Sequence, residues 1–339
     1  NARGAVEIVI ASVGLSLGVL SQAAYTAIAL MAVLTSAMTP PLLTAAVRNW
    51  RGSPQEQARL KREESLQRNL LIRPGRLLLP LGADTGCLSA ANLLHRAWPL
   101  EAGVTIVPAE QTRPSSPRGP RRPRDANLER LLDGREVSYR AAGRDAQTAL
   151  YASELGYSAM GIALHHNGNG NGNGAGHRIP PVALGLLTGG EIPLVAVRCI
   201  ADHRTASYDR IVVPVAGTRA SAGALELALG LAETASTEVV LLHVTDGAED
   251  PAGSIPVLEH AVSTARTRRV PVQVSVRHGP SVTREILDTA AANAGGLLVL
   301  GAALRRTRDG FCFSHAVERI LAHADSAVAV VVTPERRDG

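Results

Sequence analysis

Residues 210–244 read RIVVPVAGTRASAGALELALGLAETASTEVVLLHV, and residues 76–109 read RLLLPLGADTGCLSAANLLHRAWPLEAGVTIVPA. The two stretches align with Pro80 on Pro214. Further on, Val137-Ser-Tyr-Arg falls on Val274-Ser-Val-Arg, the run from Gly156 falls on the run from Gly295, and Ile192-Pro-Leu-Val-Ala-Val-Arg falls on the run from Ala327. A repeat of this length means two copies of one domain. Each copy reads strand, helix, strand, helix, strand, strand. The strands are near-continuous apolar runs: Leu77–Leu79, Val104–Val107, Ala159–Leu164 and Leu194–Val197, then Ile211–Val213, Val239–Val244, Leu297–Leu300 and Val328–Val332. Runs that do not alternate suit parallel strands buried on both faces. The helices between them include Ala220–Ala232 and Ser281–Ala292. The expected fold is α/β, an open parallel sheet in each copy with right-handed crossovers. The copies span residues 74–201, the more degenerate one, and 207–335.

Upstream of the repeat the chain changes character. From Ile8 to Val47 there is no charged residue. A membrane-spanning helix needs about 20 apolar residues, so this run predicts two spans over residues 1–47, joined at Gly18-Val-Leu-Ser-Gln22. A signal peptide would need an apolar region of only about 7–15 residues. A buried helical hairpin of a soluble protein is the other alternative. Small residues such as Ala11, Gly14, Ser16, Ala24 and Ala32 let helices approach closely in a bilayer. Arg48, Arg51, Arg59, Lys61 and Arg62 follow the run, which sets that end in the cytoplasm. Pro40-Pro41 is expected to bend or end the second span. Residues 48–73 read as a polar linker helix. Arg3 and Glu7 share a helix face at the entrance. At membrane depth such charges are functional, and at the interface they form an inexpensive ion pair.

The whole chain has 339 residues, enough for about two domains, with a formal charge of +5 and only 3% aromatic residues. Lys61 is the sole lysine. No nucleic-acid recognition fold accompanies the arginines, so no nucleic-acid partner is expected. Cys87, Cys199 and Cys312 are odd in number and far apart, which gives neither a metal spacing nor a disulfide framework. The chain opens on Asn1 rather than Met, so it reads as a piece with an unknown length upstream.

Asn1-Ala-Arg-Gly-Ala-Val-Glu-Ile, Gly14-Leu-Ser-Leu-Gly-Val-Leu-Ser21 and Met38-Thr-Pro-Pro-Leu-Leu43 together resemble the last two membrane helices of the cation:proton antiporter-2 family. Arg3, Gly4 and Glu7 fall on that family's first motif, and Ala2 replaces its Thr. The resemblance implies exchange of Na⁺ or K⁺ for protons, with the ion site on earlier helices and Arg3 and Glu7 as supporting charges. It also implies a multi-pass protein of the bacterial inner membrane with a cytoplasmic C-terminal tail. The tail itself resembles the universal stress proteins, with an adenine nucleotide alpha hydrolase-like fold. The landmarks are Ile211-Val-Val-Pro-Val215, His278-Gly-Pro-Ser-Val-Thr-Arg-Glu-Ile-Leu287, Leu298-Val-Leu-Gly301 and Ser314-His-Ala-Val-Glu-Arg-Ile-Leu-Ala-His-Ala324. A homodimer is the expected assembly.

ATP-binding members of that family place an Asp after the first strand and a Gly-x-x-Gly loop, then Gly-Ser or Gly-Thr, after the fourth. Such a loop offers backbone N–H groups and a helix N-terminus to phosphate. Here the resemblance puts Gly217, Gly279, Gly301, Gly310 and Ser314 at the site for ATP or another adenine nucleotide. Ala216 or Gly217 stands where the Asp would be, and Leu304 replaces the second glycine. The Asn167–Gly174 repeat of Asn-Gly reads as a solvated loop, with a phosphate cradle as the alternative. His165, His166 and His177 lack an acidic or Cys partner, so no metal is expected. Ser314 before His315 reads as a helix N-cap rather than a nucleophile pair. The Arg- and Pro-rich segment 113–124 reads as a disordered loop or a contact for anionic lipid. The functional expectation is a regulatory tandem tail on a monovalent cation:proton antiporter. The alternative is a membrane-anchored tandem module that binds a nucleotide or a partner. An enzyme is not expected.

Overall fold

The computed structural model describes residues 4–49, 69–73, 75–81, 86–108, 126–139, 156–166, 177–179, 183, 192–198, 208–245, 251–293, 295–307 and 310–333. The chain divides into a helical unit, residues 1–65, and an α/β unit, residues 66–339. Arg3, the Asn-Gly loop, segment 113–124 and most of the expected linker helix lie outside the described residues, as does the side chain of Glu7.

The helical unit is a hairpin of α1 (Gly4–Ser16) and α2 (Gln22–Asn49). The turn falls at the expected place. Gly18 adopts φ +70°, a left-handed conformation that L side chains resist. The amides of Val19 and Leu20 return to the Gly14 carbonyl at 3.0 and 3.1 Å. Ala11 and Ala32 are buried, while Val9, Ile10, Leu30, Met31 and Val33 are exposed. Ala11 and Ala32 therefore face the partner helix, and these large apolar side chains face outward. The expected pair of spans is supported only in part, and the expected end at Pro40-Pro41 is corrected. Among the described residues, α2 alone is long and apolar enough to cross a membrane, over Gln22–Pro41 with mean hydropathy 1.4. And α2 continues through Pro40 and Pro41 to Asn49. Each proline removes a donor, but its fixed φ is compatible with a helix.

The α/β unit contains β1 (Arg76–Leu81), α3 (Gly86–Ala97), β2 (Val104–Pro108), α4 (Ala126–Leu131), β3 (Val137–Tyr139), β4 (Tyr157–Ala163), β5 (His165–His166), β6 (His177–Arg178) and β7 (Leu194–Arg198) from the first copy. The second copy supplies β8 (Arg210–Pro214), α5 (Arg219–Ala235), β9 (Glu238–Thr245), α6 (Pro251–Thr267), β10 (Val272–His278), α7 (Val282–Ala292), β11 (Leu297–Ala302), β12 (Arg305–Thr307), β13 (Gly310–Cys312), α8 (His315–His323) and β14 (Ala327–Val332). The expectation of a separate parallel sheet in each copy is corrected. One ten-stranded sheet runs β10-β9-β8-β11-β14-β7-β4-β1-β2-β3. Its neighbours are parallel except at the seam, where β14 meets β7 antiparallel. There Val330 pairs with Ala196 and Val331 with Val195. The repeat equates Val195 with Val330 and Ala196 with Val331, so exchanging the copies turns one pair into the other. The seam is a local twofold.

Each copy also has an outer strand missed as an apolar run. Val137 pairs with Val104, and Val272 pairs with Val239. The counterpart of Val137 is thus Val272, two residues before the Val274 that the repeat alignment selects. A slip of two keeps every side chain on its face, so the pattern of alternate valines cannot register it.

Two apolar layers cover the sheet. One holds Leu93, Leu94, Leu128, Leu227, Leu231, Ala261 and Ala265 from α3 to α6. The other holds Ile286, Ala290, Val317, Ile320 and Leu321 from α7 and α8. At the seam α3 and α5 meet closely. A Cβ on Gly230 would lie 3.0 Å from the Ala97 carbonyl oxygen, and Thr234 Oγ1 donates to the Arg96 carbonyl at 2.8 Å.

Candidate functional site

In the second copy the chain order reverses between β8 and β11, with β9 on one side and β14 on the other. Ligands of open α/β sheets bind outside the carboxyl ends of the strands at such a switch point. The residues arriving there follow from strand register. β8 delivers Val215 to Thr218, β9 delivers His243 and Thr245, and β11 delivers Gly301 to Leu304.

The structure gives a local role to each residue expected at a nucleotide. Gly217 adopts φ +69°, and a Cβ there would lie 3.0 Å from Val257 Cγ2. Thr218 then caps α5, its hydroxyl accepting from Ser221 N at 3.1 Å. Ser221 Oγ accepts from Ala216 N at 3.4 Å. The amides of Ala216 and Ser221 are therefore engaged by side chains. Gly301 runs against the same first turn of α5. A Cβ there would fall 2.3 Å from the Ala220 carbonyl carbon, so only glycine permits this approach of strand to helix. Gly217 and Gly301 are thus brought to one helix start. The others are not. Gly279 lies under Glu285 of α7, and its N–H donates to the Thr245 carbonyl at 3.1 Å. Gly310 opens β13 opposite Thr307. Ser314 caps α8, accepting from Val317 N at 3.4 Å, which is the N-cap expected from its place before His315.

The loop after β11 is built for packing. β12 and β13 form an antiparallel hairpin. Leu304 and Phe311 lie against the second core layer, and Phe313 is buried within it. Ala216 or Gly217 stands where the resemblance puts an Asp, and the space beside Gly301 is filled by helix backbone. Among the described residues, Gly279, Gly310 and Ser314 are not brought to the α5 start beside Gly217 and Gly301, so these residues do not assemble the phosphate cradle that the resemblance implies.

What the switch point does hold is a polar pair on the α5–α6 face. His243 is buried, and its Nδ1 lies 2.7 Å from the Val215 carbonyl oxygen. A carbonyl only accepts, so Nδ1 carries the proton. Nε2 is buried and has no hydrogen-bond partner among the described residues. One strand turn on, Thr245 Oγ1 meets His278 Nδ1 at 2.5 Å. Sequence reading missed both contacts. The signal was His243 alone in the apolar run Val239–Val244. In the first copy the register sets His166 opposite His177, and among the described residues no group of three or more His, Cys, Asp or Glu could hold a metal.

Comparison with known proteins places this geometry. Residues 207–332 match the universal stress protein family model. No curated protein matches the chain in sequence. The structure is similar to a universal stress protein from Archaeoglobus fulgidus DSM 4304, with 15% identity over 79% of this chain and 99% of that one, TM-score 0.52. It is also similar to the cytoplasmic domain of a prokaryotic cation chloride cotransporter, with 11% identity over 76% of this chain and 95% of that one, TM-score 0.50. At these identities the likeness is one of fold. The family match covers residues 207–332 alone, and over that stretch the chain is similar to the universal stress proteins.

Proposed function

We propose that the tandem α/β unit is the cytosolic regulatory tail of a membrane transporter, held by the helical unit to the bacterial inner membrane. One observation carries this reading. A helix of spanning length, α2, precedes in one chain an α/β unit whose tandem fold follows a transporter's cytoplasmic domain over nearly all of that domain. The finer reading, Na⁺/H⁺ or K⁺/H⁺ antiport with Arg3 and Glu7 as supporting charges, rests on the motif resemblance of residues 1–43. In this reading the tail is not an enzyme, its partners are the bilayer, the cation and protons, and the chain is a homodimer. A regulatory tail acts only if what it binds, or how it assembles, favours one state of the transporter.

The test is cation-dependent decay of a pH gradient in everted vesicles carrying the complete reading frame. Na⁺ or K⁺ should dissipate the gradient, and deleting residues 66–339 should change the rate or its cation dependence. Vesicles indistinguishable from empty ones would overturn the antiport reading. Transport that ignores the deletion would overturn the regulatory one. A membrane-anchored binding module is the remaining outcome, and the buried unpartnered His243 Nε2 favours it. Equilibrium dialysis with labelled ATP separates the two, and no micromolar binding is expected.

A further inference from the structure

The chain enters the α/β unit through residues 69–73, and one carboxylate holds them. Glu226 is buried on α5. Its Oε2 accepts from Leu70 N at 2.9 Å and Leu71 N at 3.0 Å, and its Oε1 accepts from Ile72 N at 3.1 Å. Three consecutive backbone donors on one carboxylate make an anion site filled from within the chain. Leu71 and Ile72 are themselves buried. A Cβ on Gly230 would lie 2.7 Å from Ile72 Cδ1, so the segment sits where α3 of one copy meets α5 of the other.

A further cation stands beside this carboxylate. Arg268, just past α6, donates to Asn69 Oδ1 at 3.1 Å, and its Nη2 lies 3.9 Å from Glu226 Oε1. Asn69 Nδ2 in turn donates to the Ile72 carbonyl at 3.0 Å. Arg268 thus holds the segment through Asn69 while lying within reach of the carboxylate that would be left if the segment lifted.

We propose that residues 69–72 and Glu226 form a latch, an entry segment fastened at the seam by one buried carboxylate, with Arg268 placed to take that carboxylate when the segment releases. Two arrangements of the same groups are then available, and neither leaves the charge unpaired. Burial pushes the Glu226 carboxyl above its usual range, and the three N–H groups and Arg268 offset that only in part. The fastened state carries a desolvation cost that release returns to water, which keeps the segment detachable. The latch goes beyond the regulatory reading and holds whether or not the chain belongs to a transporter.

Hydrogen exchange on the full 339-residue chain in detergent tests it. In Glu226→Ala the amides of residues 70–72 should exchange about tenfold faster or more, while those of β8 and β11 keep their rates. Excess sodium formate should restore protection by supplying the missing carboxylate, and sodium chloride at equal ionic strength should not. Glu226→Gln, which keeps one acceptor oxygen and the helix, should fall between, and it serves if the alanine variant does not fold. Unchanged exchange at residues 70–72, loss of protection spread equally over β8 and β11, or failure of formate to restore it would each overturn the latch.

Discussion

Arg135 shows how single side chains hold this fold. It is buried, and its guanidinium donates to the carbonyls of His95, Trp98, Pro99 and Ala102 at 2.6 to 2.8 Å. It thereby satisfies the carbonyl groups that the end of α3 leaves open. Arg135 Nε also donates to His95 Nδ1 at 3.0 Å, which requires a neutral ring nitrogen there. Burial, then the charges of Arg135 and Arg96, hold His95 below its usual value. Its contribution to stability is therefore present above the unfolded value of about 6.5, and it is lost as the pH falls through the lower folded value. Urea midpoints should drop between about pH 7.5 and about pH 5.5, and His95→Gln should reduce that drop. The glycines separate by cause. Gly301→Ala should cost about 3 kcal/mol because the Ala220 backbone cannot yield, whereas Gly217→Ala should cost about 1 kcal/mol for a left-handed φ. Urea titration of the two variants reads the difference.

Of the two roles that the sequence offered for Ser314, helix α8 takes one, the cap. The serine caps the helix, and the hairpin before it anchors Leu304, Phe311 and Phe313 in the core. Ser314→Ala should lower stability by about 1 kcal/mol, seen as a lower thermal midpoint. It should leave any nucleotide affinity found by dialysis unaltered, since its hydroxyl already serves Val317 N. The outer strand β10 shows why some elements escape a reading of apolar runs. Val274 and Val276 are 44% exposed, so the strand has no buried face to imprint a continuous pattern. α5 is the opposite case. Its apolar run is plain from residue 220 to 232, and Glu226 is the single charge inside it. That lone carboxylate was the legible sign of the contact with residues 70–72.

In the α/β unit as a whole, the local twofold has a consequence for the copies taken singly. The seam buries all of β14, from Ala327 to Val332, together with the α5 face that meets α3. Residues 207–335 expressed alone would expose that six-residue apolar edge, a template for pairing with another chain. The isolated copy should form a dimer through β14 against β14, detected by sedimentation, and Val330→Lys should reduce the dimer fraction. A stable monomer of residues 207–335 would show that the seam contributes little.

Read alone, the residues determined much of this protein. Apolar runs and an internal repeat fixed the two α/β copies, their inner strands and the helical hairpin with its turn at Gly18, because these depend on local pattern and backbone sterics. The same pattern could not say that the two sheets fuse across β7 and β14, that Val137 answers to Val272, or that Gly301 serves helix packing and not phosphate. Those depend on which surfaces meet. Contacts such as Glu226 with Leu70–Ile72 join residues more than 150 positions apart, and no periodicity carries information over that distance. The fold brings such groups together by burying apolar faces first, and the polar contacts then form where burial leaves a donor or a charge unmet.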